Sequence, residues 1–251
     1  MERIPVDRLY HATVVVSDLK AMARSYAEIL GIERWKVAHC TAERLTASSA
    51  FGFAASYGYS TATGSNACGV TFRLVQPTDG FSTFTEFLIT RGQGIHGMCV
   101  AVLNEGEFRE LKGWLESQGI AVGQAATVDG AARHYFFDTR KALGGFYVEL
   151  VVPQKEGWEE AITIDEEWDF SAEMRRPAGV EVAQEVPRVG HFGVAVRNLM
   201  DRLPAYARLL GMTGWRSLYF HHEPGSLEYS TLNGQEVQHA FLLATSAVAD
   251  F

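Results

Sequence analysis

Among the eight histidines of this 251-residue chain, His11 stands out because its surroundings recur. Tyr10-His11-Ala12-Thr13-Val14-Val15-Val16-Ser17-Asp18-Leu19 returns 180 positions later as Gly190-His191-Phe192-Gly193-Val194-Ala195-Val196-Arg197-Asn198-Leu199. The match continues through Tyr26 and Tyr206, Leu30-Gly31 and Leu210-Gly211, and Trp35 and Trp215. Glu149 is the second pointed residue. It lies within Phe146-Tyr147-Val148-Glu149-Leu150, where a carboxylate is costly to bury unless paired. Strand alternation puts Tyr147, Glu149 and Val151 on one face, and Val148, Leu150 and Val152 on the other. The second face is the more apolar, so a helix should cover it and Glu149 should face a cavity. An imidazole and a carboxylate meeting in a cavity can move protons or hold a metal ion.

The elements that must position them repeat as well. Each copy opens on a β-rich run, passes a polar pair and enters a helical pattern. Leu19, Met22, Ala23, Tyr26 and Leu30 lead to Gly31, and Leu199, Leu203, Tyr206 and Leu210 lead to Gly211. A weaker copy begins at Gly97-Met98-Cys99-Val100-Ala101-Val102 and continues through Phe108, Leu111 and Leu115 to Gly119. Runs of strand composition follow each helix, among them Trp35 to Val37, Gly69 to Val75 and Phe146 to Val152. The unit is β-α-β-β-β, and the fold class α+β. One unit of roughly 60 residues leaves an apolar sheet face exposed, so two must pair around a pocket.

Composition narrows the function classes. With 47% hydrophobic and 21% charged residues the chain is of ordinary globular type. No apolar run approaches ~18 residues, so no membrane partner is expected. Met1-Glu2-Arg3-Ile4-Pro5 is not an apolar signal segment, and Cys40, Cys68 and Cys99 have no metal-ligand spacing; both fit a cytoplasmic protein. The net charge of −8, without a basic stripe, argues against nucleic acid. Glu156, Glu159, Glu160, Asp165, Glu166, Glu167, Asp169 and Glu173 cluster between Pro153 and Pro187, marking an acidic connection draped over a domain. The expected organisation is paired modules one and two over 1–153, the connection over 154–186 and a third βαβββ module over 187–251.

Three segments resemble the vicinal oxygen chelate superfamily, which includes glyoxalase I, methylmalonyl-CoA epimerase, extradiol dioxygenases and bleomycin-resistance proteins. They are the His11 run; Phe72-Arg73-Leu74-Val75-Gln76-Pro77 with Thr85-Glu86-Phe87-Leu88 and Arg91-Gly92-Gln93-Gly94-Ile95-His96; and His134-Tyr135-Phe136-Phe137-Asp138-Thr139-Arg140 with Gly144 to Leu150. The second is similar to the epimerase-like branch.

The resemblance implies four inward-facing positions around a divalent metal (Zn, Mn, Co or Fe). His11 and Glu149 match the first and last. Arg73 stands where relatives carry Glu or Gln, and a guanidinium cannot ligate. The remaining position falls on Gly97, where relatives carry the second of two adjacent histidines and here only His96 survives. Two readings stay open. A bulge at Gly97 turns His96 inward and completes a His11, His96, Glu149 triad; or no metal binds and Arg73, His11 and Glu149 form an ion-paired cluster for an anionic substrate. Phe72, Phe137, Tyr147 and Tyr135 are the expected substrate-binding aromatics. His191 reads as a relic whose partner position is Leu242; His221-His222 reads as a surface turn; and His39, His134 and His239 have no assigned partner, though His134 enters the Glu149 hairpin.

The resemblance implies an enzyme acting on a small oxygenated molecule by proton abstraction next to a carbonyl, of isomerase or lyase type. Extradiol-type, metal-dependent dioxygenase chemistry is the alternative, and non-catalytic sequestration of the bleomycin-resistance type the other. The third module, without a fourth in the chain, is expected to pair with its counterpart in a homodimer.

Overall fold

A computed structural model describes residues 2–6, 8–67, 69–174, 191–221, 230–237 and 240–246. In it the His11 run becomes β1 (His11–Val15) near the middle of an eleven-stranded sheet. Asp18 accepts a hydrogen bond from the Ala21 amide to start α1 (Leu19–Leu30), and Gly31 ends it in the left-handed region at φ 69°. The first module continues with β2 (Arg34–Cys40), β3 (Leu45–Ala50), β4 (Phe53–Ala54), β5 (Tyr57–Ser65) and β6 (Thr71–Gly80). A helix the module pattern does not contain, α2 (Thr83–Arg91), leads to the second module. That module comprises β7 (Gly94–Val102), α3 (Glu105–Ser117), β8 (Val122–Val128), β9 (Ala132–Phe137), the short α4 (Arg140–Leu143) and β10 (Tyr147–Pro153). Asn104 and Glu107 form a capping box at the start of α3.

The sheet runs β2-β5-β6-β1-β7-β10-β9-β8 across the two modules, joined where β1 and β7 pair antiparallel. It curls into a half-barrel. Its outer face is covered by α1, over Val14, Val16, Trp35, Phe72 and Leu74, and by α3, over Tyr135, Phe137, Val148, Leu150 and Val152. Val148, Leu150 and Val152 therefore take the helix side, as alternation requires, and burying each large side chain contributes about 1.5–3 kcal/mol. The concave face carries a third cluster, with Tyr57, Tyr59, Phe84, Phe87, Phe136 and Tyr147, and α2 supplies Phe84 and Phe87 to it.

Two segments close the open side. After β2 the chain leaves its own module, and β3 pairs with β8 at the far edge of the other. The first part of the acidic connection also does more than drape: Trp158 packs against Cys99 and Val151, Phe170 is buried, and β11 (Glu166–Asp169) pairs antiparallel with β2. An acidic edge strand resists further pairing, which gives those carboxylates a structural use. Residues 175–186, and with them the end of the connection, lie outside the described residues, as do Cys68, His222 and His239.

The third copy differs from its expected form at its first run. Residues 191–196 form no strand, whereas α5 (Leu203–Leu210), ending at Gly211 with φ 73°, follows the helical pattern. The physical reason is pairing: β1 has β6 on one side and β7 on the other, and the third copy has no fourth module to supply its second neighbour. Phe192 packs instead on the α1 core, and Leu209 enters the α3 core. The Ile4 amide donates to the Leu209 carbonyl at 2.8 Å, and the Tyr206 hydroxyl donates to the Leu143 carbonyl at 2.6 Å. Beyond α5, β12 (Arg216–Phe220) pairs with β15 (Phe241–Thr245), and β13 (Thr231–Leu232) with β14 (Gln235–Glu236).

Candidate active site

Glu149 is fully buried at the centre of the concave face, and strand register explains its neighbours. Its Cα partner on β7 is Cys99, and the partner of Cys99 on β1 is His11, so the three side chains share one row across β10, β7 and β1. Both carboxylate oxygens are occupied. Oε2 lies 3.0 Å from His11 Nε2 and accepts from the Thr13 hydroxyl at 3.2 Å. Oε1 accepts from Arg73 Nη1 at 3.1 Å and lies 2.8 Å from His134 Nδ1. A buried carboxylate with four partners avoids the desolvation penalty that an unpaired one would carry.

The electrostatics follow from burial and contact. Burial by itself would raise the Glu149 carboxyl; the charge His11 takes up in acid, the charge of Arg73 and the hydrogen bonds from both histidines outweigh it and hold the group well below its usual value. Burial, with the Arg73 charge second, lowers His11 to about 4. At neutral pH the cluster is thus an ionised carboxylate beside a neutral His11 and a cationic Arg73. Such a carboxylate orients the imidazoles and stabilises positive charge forming on them, while its own lone pairs are already engaged.

A cavity of about 320 Å³ opens beside the cluster, lined by His11, Arg73, Cys99 and His134 on the sheet and by Trp158, Glu159, Ile162 and Ile164 from the acidic connection. That connecting strap is tied down by Arg44, which bonds Asp129 at 2.7 and 2.8 Å, Asp165 at 2.6 Å and the Thr163 carbonyl at 2.8 Å. His39, without an assigned role from sequence, holds the same strap through Glu166 at 3.2 Å and through its amide to Asp165 at 2.7 Å.

His11, Arg73 and Glu149 are brought together; the remaining expected residues are not. The predicted irregularity does occur on β7, since Thr13 pairs with Gly97 while Val14 pairs with Ile95, leaving His96 as the extra residue. The bulge carries the His96 ring to the α2 end of the concavity. There it stacks on Tyr147 with centroids 4.4 Å apart, touches Phe84, Phe87 and Phe136, and bonds Thr83 Oγ1 at 3.1 Å. Burial in this aromatic box lowers His96 to about 3. Tyr147 is on the Glu149 face but fills that same end rather than the cavity. Phe72 lies under α1 against Tyr26, and Tyr135 and Phe137 lie under α3 against Phe108, because each is one residue from an inward-facing neighbour and so points outward. His191 is exposed and Leu242 is 42% exposed, away from any ligand arrangement.

Sequence reasoning missed Thr13, Cys99 and Trp158, and gave His134 no firm role. Period-two alternation from His11 and from Gly97 could have found Thr13 and Cys99. Alternation from Phe136 places His134 inward too, whereas Trp158 comes from a loop with no periodicity to read.

The fold is a paired βαβββ half-barrel whose polar cluster faces a cavity. The chain belongs to the glyoxalase/bleomycin resistance protein/dioxygenase superfamily, whose family model matches residues 10–137. Similar solved structures include methylmalonyl-CoA epimerase from Mycobacterium tuberculosis, 22% identical over 62% of this chain and 95% of that one, with a TM-score of 0.45. Methylmalonyl-CoA epimerase from Streptomyces coelicolor is 17% identical over 60% and 99%, with a TM-score of 0.40. The 4-hydroxymandelate synthase of Streptomyces coelicolor is 15% identical over 60% of this chain and 50% of that one, with a TM-score of 0.38. No curated protein matches the chain in sequence.

Members of this superfamily often bind a divalent metal. Here the ligand atoms of His11, Cys99 and Glu149 lie within 4.8 Å of one another. One imidazole, one thiol and one carboxylate are donor types that Zn or Fe(II) accepts, with Cys99 in place of the expected His96, and Glu149 would give up a hydrogen bond to ligate. Burial raises the Cys99 thiol well above its usual value, so a cation would have to displace its proton.

Proposed function

We propose that the chain is an enzyme, isomerase or lyase in type, that moves a proton next to a carbonyl group of a small, anionic, oxygenated substrate. One observation carries this reading: a buried carboxylate, Glu149, holds two imidazoles and a guanidinium around itself, and all three of these partners line a cavity. Arg73 would bind the substrate's carboxylate or enolate oxygen, because Glu149 engages one of its nitrogens and leaves the rest of the fork. His11 would take and return the proton, with Glu149 orienting its ring and stabilising the imidazolium. Thr13 and His134 would act through Glu149 as positioning residues. The site would reside in 1–153, with 154–186 as its covering connection and 187–251 as a third module.

A second reading has its own support in the His11, Cys99 and Glu149 donor set. If Zn, Mn, Co or Fe binds there, it supplies Lewis-acid polarisation of a substrate oxygen, and iron would bring dioxygenase chemistry back into consideration. Sequestration of a small molecule without turnover is the third. A cytoplasmic location is part of the proposal and rests on Cys40, Cys68 and Cys99 lacking a disulfide framework. No helix of the described residues is long and apolar enough to cross a membrane. A homodimer through the β12 and β15 sheet would cover Leu218, Tyr219, Leu242 and Leu243, which are now exposed.

The test is metal content per chain, on protein purified without chelator or metal-binding tag, alongside a turnover screen on α-keto and α-hydroxy acids. Near-stoichiometric metal that disappears in both His11→Ala and Cys99→Ala establishes the metal reading. Turnover by metal-free protein that is lost in His11→Ala while ligand binding remains establishes the acid/base reading, and tight binding without turnover leaves sequestration.

A further inference from the structure

We propose that the cavity takes an amphipathic carboxylate, its charged group against Lys36 and Arg73 and its apolar body beneath the strap against Tyr59, Ile162 and Ile164. Register brings the charged end together: Lys36 on β2 pairs with Thr63 on β5, and Thr63 pairs with Arg73 on β6. Lys36 and Arg73 thus stand two strand spacings apart, about 10 Å between backbones, with a hydroxyl between them. Both side chains line the cavity, Lys36 at the β2 end and Arg73 nearer Glu149, so an anionic group can lie between them. Only Nη1 of Arg73 is used by Glu149, and Nη2 and Nε make no hydrogen bond among the described residues.

The charge balance points the same way. Arg8, Lys36 and Arg73 line the cavity against Glu159 on the strap and the Glu149 carboxylate to which Arg73 is paired, which leaves the positive charges in excess. Neither Arg8 nor Lys36 forms an ion pair among the described residues; Arg8 instead lies over the Tyr10 ring, 4.2 Å from its centroid. An anion entering here meets uncompensated positive charge on walls of low dielectric, where attraction is stronger than in water.

Beside Thr61, Thr63, Thr71 and the histidines, the cavity has an apolar wall. Ile162 packs on the concave core that contains Ala38, Cys40, Tyr59 and Val128, and Ile164 lies on the same strap. The strap lies beyond residues 10–137, the span of the family match, so this chain's own connection makes the apolar wall. A volume near 320 Å³ is at the small end of ligand pockets, about 300–1,000 Å³, and suits a compact acid.

This assignment rests on the proposed reading of the site, but its test is binding, so the two can fail separately. Octanoate, octanol and inorganic phosphate are titrated calorimetrically into wild type, Lys36→Met and Ile164→Ser, with thermal melts to confirm folding. Octanoate should bind at least about tenfold more tightly than octanol or phosphate, since both the charge and the chain contribute. Lys36→Met should weaken octanoate by about fivefold and flatten its salt dependence, and Ile164→Ser should weaken it by about threefold. Octanol binding as tightly as octanoate, phosphate alone matching octanoate, or folded variants that bind octanoate like wild type would each overturn the assignment. Octanoate binding with no turnover of any acid would overturn the catalytic reading and leave this one standing.

Discussion

Replacing Glu149 by glutamine tests the central arrangement, because it keeps the shape and removes the charge. Glu149 is wholly buried, and its partners His11, Thr13, Arg73 and His134 all lie within 3.2 Å. Breaking a buried ion pair from one side costs about 3–5 kcal/mol, because the remaining charge keeps its desolvation penalty. The Arg73 side chain is 20% exposed and can recover some hydration, which lowers the expectation to about 2–4 kcal/mol. The amide also brings an NH2 donor to face groups that themselves donate, so at least one contact is lost, at about 1 kcal/mol. Urea denaturation should show the midpoint falling with an unchanged slope, and the melting temperature should drop by roughly 6–20 °C for a chain of this size. Adding Arg73→Met to Glu149→Gln should restore part of the loss, since it removes the stranded cation. A destabilisation below about 1 kcal/mol, or a double variant that is additively worse, would refute the reasoning that this cluster is a mutually compensated buried network.

Three further expectations concern the scaffold. Stability should decline in acid from about pH 6.5 downward: burial depresses His96 to about 3 and His11 to about 4, so the unfolded chain binds more protons than the folded one between those values and 6.5. Each histidine adds a slope of about 1.4 kcal/mol per pH unit across that window, and a flat profile from pH 7 to 5 would contradict it. Gly64→Ala should destabilise by about 1–3 kcal/mol through overpacking, because a Cβ there would lie 2.7 Å from Ile32 Cγ2 and 2.8 Å from the Arg34 carbonyl; the check is chemical denaturation. Arg44→Met should release the strap, seen as faster limited proteolysis between residues 154 and 165, and should lower the melting temperature by a few degrees, since the arginine's partners Asp165 and Thr163 belong to the strap and Asp129 is left without its cation.

The repeat and the alternation along β10 made most of the fold legible. A βαβββ pattern with capped helices is local information, carried by apolar spacing, Asp18, Asn104 and the glycines that stop α1 and α5. Period-two reasoning likewise put Glu149 inside before any contact was known. The same rule, followed one residue further, would have sent Phe72 and Phe137 to the helix side and brought Thr13 and Cys99 into the site.

Other features depended on contacts between distant segments. Which residue of β7 stands beside His11 is set by antiparallel register, and a one-residue bulge at His96 shifts it, so Cys99 rather than His96 meets Glu149. Whether His96 turns toward the cluster was decided by α2, whose phenylalanines build the box that holds it. The strap across the cavity exists because Arg44, Asp129 and Asp165, far apart in the chain, converge. Near-neighbour periodicity thus carries the modules, the alternation of faces along each strand and the residue types available for chemistry. Tertiary structure alone decided the register between modules, the direction of the bulge and the roof over the pocket, because each is a balance of pairing and packing between segments that no local pattern encodes.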